Sequence, residues 1–114
     1  MAVTNKQLVD NQQATAANTA ESVYTSPSGG SAKGTLITNF TAANSTAIDR
    51  SFKAYIVTSG SATIPLIPTR TILANDTDVP PELAGQFIPA GAQLYIETSA
   101  ALSISFTVSG RELT

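Results

Sequence analysis

Apolar and polar residues alternate without exception along LSISFTVSG, residues 102–110. Leu102, Ile104, Phe106 and Val108 take every second position, and serine or threonine takes the positions between them. Successive side chains of a β-strand point to opposite faces of its sheet, so this spacing predicts a strand with one buried face. We expect the apolar side chains to lie in the core and the small hydroxyl side chains to form a plain outer face.

Five more segments carry strand patterns between turn-forming residues: ESVYTS, TLITNFTA, IDRSFKAYIV, TRTILA and QLYIET. The segment TIPLIP contains two prolines, which lack the N–H group that a central strand donates, so we expect it at a sheet edge or in an extended connection. Only SAA separates QLYIET from the last strand, and these two strands are predicted to form a hairpin. Six or seven short strands without a ten-residue helix indicate an all-β fold, either an antiparallel β-sandwich or a small barrel.

The alternation of apolar and polar residues also predicts which side chains face the core, and the segments without it are expected to be loops. Arg50 interrupts the apolar face of its strand near the start. The segment NDTDVPPELAGQ is expected to be a loop that holds one helical turn at Glu82 to Ala84. The internal positions expected to face the core are Leu36, Phe40, Ile48, Phe52, Ala54, Ile56, Leu94 and Ile96.

Residues 1–20 differ from the rest of the chain because they contain few sizeable apolar residues. Thr4 and Gln7 have the spacing of a capping box, which predicts a short helix through Leu8 and Val9. The polar stretch NQQATAANTA that follows fits neither the helix period nor the strand period. We therefore divide the chain into an extended N-terminal arm, residues 1–20, and a β-sandwich domain, residues 21–114. We expect a neighbouring chain to order the arm.

The composition removes several classes of chemistry. The 114 residues include neither cysteine nor histidine, so thiol catalysis, thiolate metal sites and imidazole chemistry are excluded. Charged residues make up only 12% of the chain and the net charge is −2, which argues against a nucleic-acid partner. No apolar run is long enough to cross a membrane, and the N-terminus lacks the pattern of a secretory signal. We expect one domain that is not an enzyme and whose neutral surface lies against other protein.

Two segments have features of ligand-binding loops. In SGGSAKGT, Lys33 precedes Gly34, which reverses the order found in phosphate-binding loops, and a predicted strand follows where those loops need a helix. A hairpin loop is the favoured interpretation. Asp76, Asp78 and Glu82 offer oxygen atoms that calcium accepts, but the segment lacks the central glycine and the correctly placed glutamate of a calcium loop. A polar turn that discourages pairing at a sheet edge is favoured there.

The remaining charged and aromatic residues have ordinary structural explanations. Asp49 and Glu97 fall on the outward faces of strands, where a solvated charge is expected. Tyr24, Tyr55 and Tyr95 suit the surface or rim of a sheet, and an aromatic platform for sugars is the alternative.

Glycosylation triplets begin at Asn39, Asn44 and Asn75. Without a secretory signal, we interpret them as chance matches in a threonine-rich chain. No pair of carboxylates has a spacing that suggests acid–base catalysis. We therefore assign no catalytic, cofactor-binding or metal-binding residue, and we expect no cofactor.

Both ends of the chain resemble those of small structural proteins encoded by tailed bacteriophages and prophages. The similar segments are MAVTNKQLVDNQQ and IPAGAQLYIETSAALSISFTVSGRELT. The resemblance is to capsid decoration proteins, also called cement proteins, which have jelly-roll-like β-sandwiches and coat the shell. The resemblance covers the two ends of the chain. In the middle of the chain, only the general character of the sequence is similar.

This resemblance implies a non-enzymatic virion protein that decorates and stabilises a capsid. Its implied partners are the major capsid protein and copies of itself in a homo-oligomer, with no nucleic acid and no membrane. Its implied place is the capsid exterior, after synthesis in the host cytoplasm. Two alternatives stay open, namely a structural component of the tail or neck and a carbohydrate-binding β-sandwich module.

Overall fold

In the computed structural model, residues 2–114 form nine β-strands and one short 3-10 helix. The strands are β1 (Val3–Gln13), β2 (Glu21–Thr25), β3 (Gly34–Asn44), β4 (Arg50–Val57), β5 (Thr63–Ile72), β6 (Asp76–Asp78), β7 (Phe87–Pro89), β8 (Gln93–Thr98) and β9 (Ile104–Leu113), and the 3-10 helix spans Pro81–Leu83. The five-stranded sheet has the order β1–β9–β3–β6, with β7 also paired to β3, and the four-stranded sheet has the order β2–β8–β4–β5. The pairings are antiparallel, and the predicted all-β sandwich is confirmed.

Three phenylalanines form the centre of the core between the sheets. The ring centroid of Phe106 lies 5.8 Å from that of Phe40 and 5.5 Å from that of Phe52, and both contacts are edge to face. Phe40 and Phe106 come from the five-stranded sheet and Phe52 from the four-stranded sheet. The predicted inward positions that are buried are Phe40, Phe52, Ala54, Ile56, Leu94, Ile96, Ile104, Phe106 and Val108.

The last strand begins two residues later than the alternation predicts. Leu102 lies in the preceding turn with a φ of 52° and is 61% exposed, so its predicted burial is wrong. Ser103 is buried instead, and its hydroxyl donates a hydrogen bond to the carbonyl of Ala100. The turn takes up the first two residues of the alternating segment, because the chain must change direction before Ile104 can enter the sheet.

The predicted hairpin between the last two strands is also wrong. β8 belongs to the four-stranded sheet and β9 to the five-stranded sheet, so residues 99–103 cross from one sheet to the other. The crossing is fixed by backbone hydrogen bonds from Ser99 to Ser51 and from Leu102 to Ala14. β8 is inserted between β2 and β4, and β9 is inserted between β1 and β3.

Two further inward assignments fail for local reasons. A register shift between Ile37 and Asn39 reverses the faces of β3, so Ile37 is fully buried and Leu36 is only half-buried. Ile48 precedes the start of β4 and is 59% exposed. An extra residue in a strand interrupts the alternation of faces, and the sequence period alone does not reveal it.

The N-terminal segment is a strand of the sandwich, which corrects the predicted helix and the predicted arm outside the core. β1 pairs with β9 of the same chain from Val3 to Gln13, with two register shifts, and Val9 and Ala14 are buried. A Cβ atom at Gly110 would overlap the Leu8 side chain and the backbone of β3, so glycine is needed where β1 approaches β9. Pairing along a strand supplies the order that we expected from a neighbouring chain.

The proline-rich and loop predictions hold more closely. TIPLIP and TRTI form the single strand β5, which pairs only with β4 and is therefore an edge strand, as predicted. The helical turn expected at Glu82 to Ala84 is the 3-10 helix Pro81–Leu83, displaced by one residue. Within the segment NDTD, Asp76–Asp78 form β6, a short edge strand paired to β3.

Candidate functional site and interaction surfaces

The outer side of the five-stranded sheet is a surface of mostly small and uncharged side chains, which we call the Ser/Thr face. Exposed Asp10 of β1 follows the buried Val9 and therefore lies on this side of the sheet. Its central strand β9 contributes Ser105, Thr107 and Ser109, each partly exposed. Gln13 Nε2 on β1 donates a hydrogen bond to Ser105 Oγ over 3.1 Å and so links the side chains of β1 and β9. The remaining members, on β1 and β3, are Gln7, Gln13, Asn39, Thr41 and Ala43.

One end of the sandwich carries three exposed apolar side chains on three loops, and we call it the apolar tip. Ile48, Leu73 and Leu102 are 59%, 58% and 61% exposed. Asn44 brings the three side chains to the same end. It pairs with Ile104, which is two residues beyond Leu102 in the chain. Its side-chain amide also donates hydrogen bonds to the backbone carbonyls of Ile48 and Leu73. The tip is thus built on β3 and on the start of β9.

Asn44 is the buried residue that holds the tip together. Its Nδ2 donates to the carbonyls of Ile48 and Ile72 over 2.9 and 3.0 Å, and its Oδ1 accepts from the amide of Thr46 over 3.0 Å. The side chain is 2% exposed, so a glycan has no access to it in the fold. The sequence carries a signal for this role that the predictions above did not use, since Asn-Ser-Thr after a strand favours an Asx turn.

Two exposed basic side chains, Lys6 and Arg111, border an open groove on the outer side of the five-stranded sheet. The groove has a volume of about 430 Å³, and its lining also includes Thr38, Gly110 and Ser109, which is a member of the Ser/Thr face. Lys6 Nζ lies 3.5 Å from a carboxylate oxygen of Glu112. We call this surface the basic groove.

Tyr24 lies between the sheets, which corrects its predicted place at a sheet surface or rim. Its hydroxyl lies 2.8 Å from Thr35 Oγ1, donates a hydrogen bond to the Glu112 carboxylate and is part of a network that includes Ser26. Burial, and then the hydrogen bond to this carboxylate, raise the pKa of Tyr24 far above that of a free phenol. A neutral phenol at this position joins β2 to β9.

Tyr55 and Tyr95 do lie on the outer side of the four-stranded sheet. Their rings are stacked with centroids 6.0 Å apart and planes 8° from parallel, and the residues are direct cross-strand partners. Beside them Lys53 Nζ lies 3.6 Å from Glu97, and burial together with this carboxylate raises the pKa of Tyr55. Glu97 faces outward as predicted, within an ion pair.

Two of the three acidic residues considered as a calcium loop bind an arginine. Arg70 on β5 contacts Asp78 at 3.3 Å and Glu82 at 3.0 Å, and the guanidinium lowers the pKa of Glu82. These contacts link the two sheets at the open side between β5 and β6. Within residues 2–114 there is no group of three or more acidic, cysteine or histidine side chains placed to hold a metal ion.

The loop SGGSAKGT joins β2 to β3, which lie in different sheets, so it is not the loop of a hairpin. Gly29 and Gly30 both have positive φ, and Lys33 is exposed at the end of the loop. The strand β3 follows directly at Gly34, where a phosphate-binding loop would continue into a helix. Residues 2–114 also include no helix with the length and apolar character needed to cross a bilayer.

Glu21 closes the connection between β1 and β2. Its carboxylate accepts hydrogen bonds from the backbone amides of Thr15 and Ala16 and from the Thr15 hydroxyl. The amide of Thr15 is the largest cause of a lowered pKa for this carboxyl, and burial, the next largest, acts in the other direction. The ionised carboxylate is therefore the form that stabilises the fold.

This lowered pKa predicts an acid-sensitive step in stability. The stabilisation by Glu21 is complete at pH values above the ordinary carboxyl value of 4.5 and is lost as the pH falls through the lower value of the folded state. We expect Glu21→Gln to lower the melting temperature at neutral pH and to leave it less dependent on pH between neutrality and acid. Melting curves of both proteins over this range test it, and parallel pH profiles would contradict the assignment.

Comparisons with known proteins give little sequence similarity. No family model matches the chain, and no curated protein matches it. Among solved structures, a chain in the structure of infectious bursal disease virus, Gx strain, is similar with a TM-score of 0.48 and 12% sequence identity. The similarity covers 96% of this chain and 31% of that chain, so this chain spans about one third of its length.

Proposed function

We propose that this protein is a non-enzymatic virion structural protein that decorates the exterior of a bacteriophage capsid and stabilises the shell. The observation that carries the proposal is the Ser/Thr face, a surface of mostly uncharged side chains across three strands. The resemblance of the two chain ends to decoration proteins supports it. The partners in this proposal are the major capsid protein and further copies of the chain.

A surface of this composition is suited to contact with protein. Asp10 is the ionic group on this side of β1, and the serine, threonine and amide side chains of the face carry no charge that has to be desolvated on binding. The affinity of one copy for the shell can be low, because many copies bind the same lattice. Ligands that bind only the intact lattice stabilise it, and each bound copy adds to this stabilisation. Contact through uncharged groups also depends little on ionic strength, because screening acts on charges.

Removal and restoration of the protein tests this function. Particles stripped of it are expected to assemble normally but to burst at a lower temperature, and adding it back at low or at high salt should restore the original value. Particles that melt at the same temperature with and without the protein would exclude a stabilising role. Binding that disappears at moderate salt would exclude the uncharged face as the contact.

A charge placed on the Ser/Thr face provides a sharper test. Thr107→Lys is expected to weaken binding to stripped particles at least roughly tenfold, because a buried unpaired ammonium group is costly. The matched control is Thr63→Lys on β5, an exposed threonine outside the face. Equal binding by the two variants would place the contact elsewhere, and the melting temperatures of the isolated proteins show whether both are folded.

The stacked pair Tyr55 and Tyr95 favours a second candidate, a carbohydrate-binding module. Parallel aromatic rings beside the Lys53–Glu97 ion pair combine apolar surface with polar groups, as sugar sites require. A glycan array tests this candidate, and Tyr95→Ala should abolish any binding found. The copy number in purified particles separates a shell protein, in hundreds of copies, from a tail or neck component, in roughly six or twelve.

A further inference from the structure

The strands at the edges of the two sheets differ in how open they are to a further strand. β5 contains Pro65 and Pro68, which have no N–H group to donate. β6 and β7 have three residues each, and β2 has five with a register shift between Ser22 and Tyr24. Prolines, short strands and bulges are the means by which proteins block pairing at an edge. Among residues 2–114 the exception is β1, which spans eleven residues without a proline.

The first half of β1 has a regular and exposed edge. Its residues 3–7 pair with residues 109–113 of β9 in unbroken register, and both register shifts of β1 lie beyond Gln7. Residues 2–7 are exposed. A lysine on an edge strand commonly blocks pairing, but the ammonium group of Lys6 is turned to Glu112. One side of this segment is paired to β9, and its other side is open.

The hydrogen bonds of Ala2 determine which backbone groups of β1 point to the open side. Ala2 and Thr114 exchange both of their backbone hydrogen bonds, so the backbone groups of Ala2 face β9. Bonded and non-bonded residue pairs alternate along an antiparallel ladder, so the odd-numbered residues of the segment direct their N–H and C=O groups away from β9. These residues are Val3, Asn5 and Gln7.

Two hydrogen bonds on the far side of β9 agree with this assignment. The carbonyl of Leu113, the partner of Val3, accepts a hydrogen bond from the amide of Lys33. The carbonyl of Ser109, the partner of Gln7, accepts one from a threonine hydroxyl on β3. Both carbonyls are thus turned away from β1, as the alternation requires where the residues of β1 have free backbone groups.

We infer that two copies of this chain pair antiparallel through residues 3–7 of β1, across a two-fold axis at Asn5. In this register Val3 of each copy lies opposite Gln7 of the other, and the two Asn5 residues lie opposite each other. Each of these pairs exchanges both backbone hydrogen bonds, so every free backbone group of the segment gains a partner. The two five-stranded sheets become one continuous sheet with both Ser/Thr faces on the same side.

The register follows from the spacing of the free backbone groups and from the position of Lys6. An axis at Thr4 would pair Val3 with Asn5 and leave Gln7 without a partner in the regular segment. An axis at Lys6 would place two ammonium groups directly opposite each other, which destabilises a pair of strands. The axis at Asn5 uses all three free residues and places Lys6 opposite Thr4. The bulged half of each β1 then lies beyond the paired segment.

A second copy is the occupant because this segment is its own complement. An added strand must offer free backbone groups at every second residue and no proline, and the edge of β1 meets both conditions. The outer side chains that meet, Val3 with Gln7 and Asn5 with Asn5, are uncharged, so no like charges oppose each other. The contact joins identical surfaces and is therefore isologous, so association stops at a dimer. This inference goes beyond the proposed function and does not depend on it.

A proline at the centre of the segment tests the edge. Asn5→Pro removes an N–H group that faces away from β9, and proline is tolerated on an edge strand where the missing N–H faces solvent. We expect this variant to lose dimer formation and to keep a melting temperature close to that of the parent monomer. Asn5→Ala is the matched control, because it removes the same side chain and retains the N–H group, so it should still form dimers.

Sedimentation equilibrium of the full chain over a concentration series measures the association. The average mass of the parent protein and of the Asn5→Ala variant should rise with concentration and stop at the dimer, and Asn5→Pro should stay monomeric. Amide hydrogen exchange locates the contact. The amides of Val3, Asn5 and Gln7 should become protected as the concentration rises, whereas those of Thr4 and Lys6, which face β9, should be protected at every concentration.

Charges at the two positions that face each other test the register. Both side chains are exposed, so the fold tolerates the changes. Val3→Lys with Gln7→Lys places cations opposite cations in a homodimer, and Val3→Glu with Gln7→Glu places anions opposite anions. Each double variant alone should stay monomeric. An equimolar mixture should form a one-to-one complex, since every introduced cation then lies opposite an introduced anion.

Three results would overturn the inference. They are a parent protein that stays monomeric at about 1 mM, where even a millimolar dissociation constant gives substantial dimer, a dimer that Asn5→Pro leaves unchanged, and a mixture of the charge variants that stays monomeric. A monomeric parent protein that binds stripped particles, and loses this binding through Asn5→Pro, would assign the edge to a strand of the shell instead of a second copy. The first three results can occur whether or not the protein stabilises capsids, so the inference and the proposed function can fail separately.

Discussion

Replacing Phe106 by alanine is expected to lower the free energy of unfolding by about 3–5 kcal/mol. The ring is fully buried and makes edge-to-face contacts with Phe40 and Phe52, so the substitution leaves a cavity where the two sheets meet. A domain of this size has a total stability of roughly 5–15 kcal/mol, and the loss is a large share of it. Equilibrium unfolding in urea measures the change.

Ser105→Ala is the matched control at the neighbouring position of the same strand. Ser105 faces the opposite side of the sheet and accepts one hydrogen bond from Gln13 at a partly exposed site, so we expect a loss of at most about 1 kcal/mol. Similar losses for the two variants would mean that the faces of β9 are assigned wrongly, because a slip by one residue exchanges them.

Asn44→Ala is expected to cost about 3 kcal/mol, which is large for a polar residue. The substitution leaves the partly buried carbonyl of Ile48 and the buried carbonyl of Ile72 without their donor, and the amide of Thr46 without its acceptor. Burying polar groups without partners costs more than the hydrogen bonds themselves contribute. Urea unfolding measures the loss, and amide hydrogen exchange at Asn75, which donates to Thr46, should become faster.

Asn39→Ala provides the comparison, since Asn39 is an exposed asparagine on the same strand. We expect it to change stability by less than about 0.5 kcal/mol. Asn44→Asp keeps the acceptor and removes the donors, so it should fall closer to Asn44→Ala than to the parent protein. If the alanine variants at positions 39 and 44 were equally stable, the buried amide would not hold the loops together.

Local alternation was sufficient to predict the class of the fold and the faces of several strands. β4, β8 and β9 show a regular period, and their inward residues from Phe52 to Val108 are buried largely as expected. The Ser/Thr face could be predicted for the same reason, because the outward residues of β9 are the complement of its buried ones. A strand period records which side of a sheet a residue faces.

The same period does not record which strand is the neighbour. QLYIET and the final strand are separated by a short loop that suits a hairpin, yet they lie in different sheets. β1 has too few apolar residues to show a period, because an edge strand with mostly exposed side chains buries little besides Val9. The apolar tip could not be predicted from the alternation. Ile48 and Leu102 continue the pattern of the strands that follow them, but both residues lie in loops, where the pattern does not indicate burial.

The insertion of β8 and β9 into the middle of the two sheets determines when this protein can fold. β1 and β3 do not pair with each other, and each of them pairs with β9. In the other sheet, β2 and β4 are likewise joined by β8. During synthesis β1 and β2 therefore have no partner strand until β9 and β8 have left the ribosome, whereas β4 can pair earlier with β5 and β3 with β6 and β7. Pairings that join residue 3 to residue 113 close almost the longest loop that the chain allows, so we expect slow folding for a domain of this length.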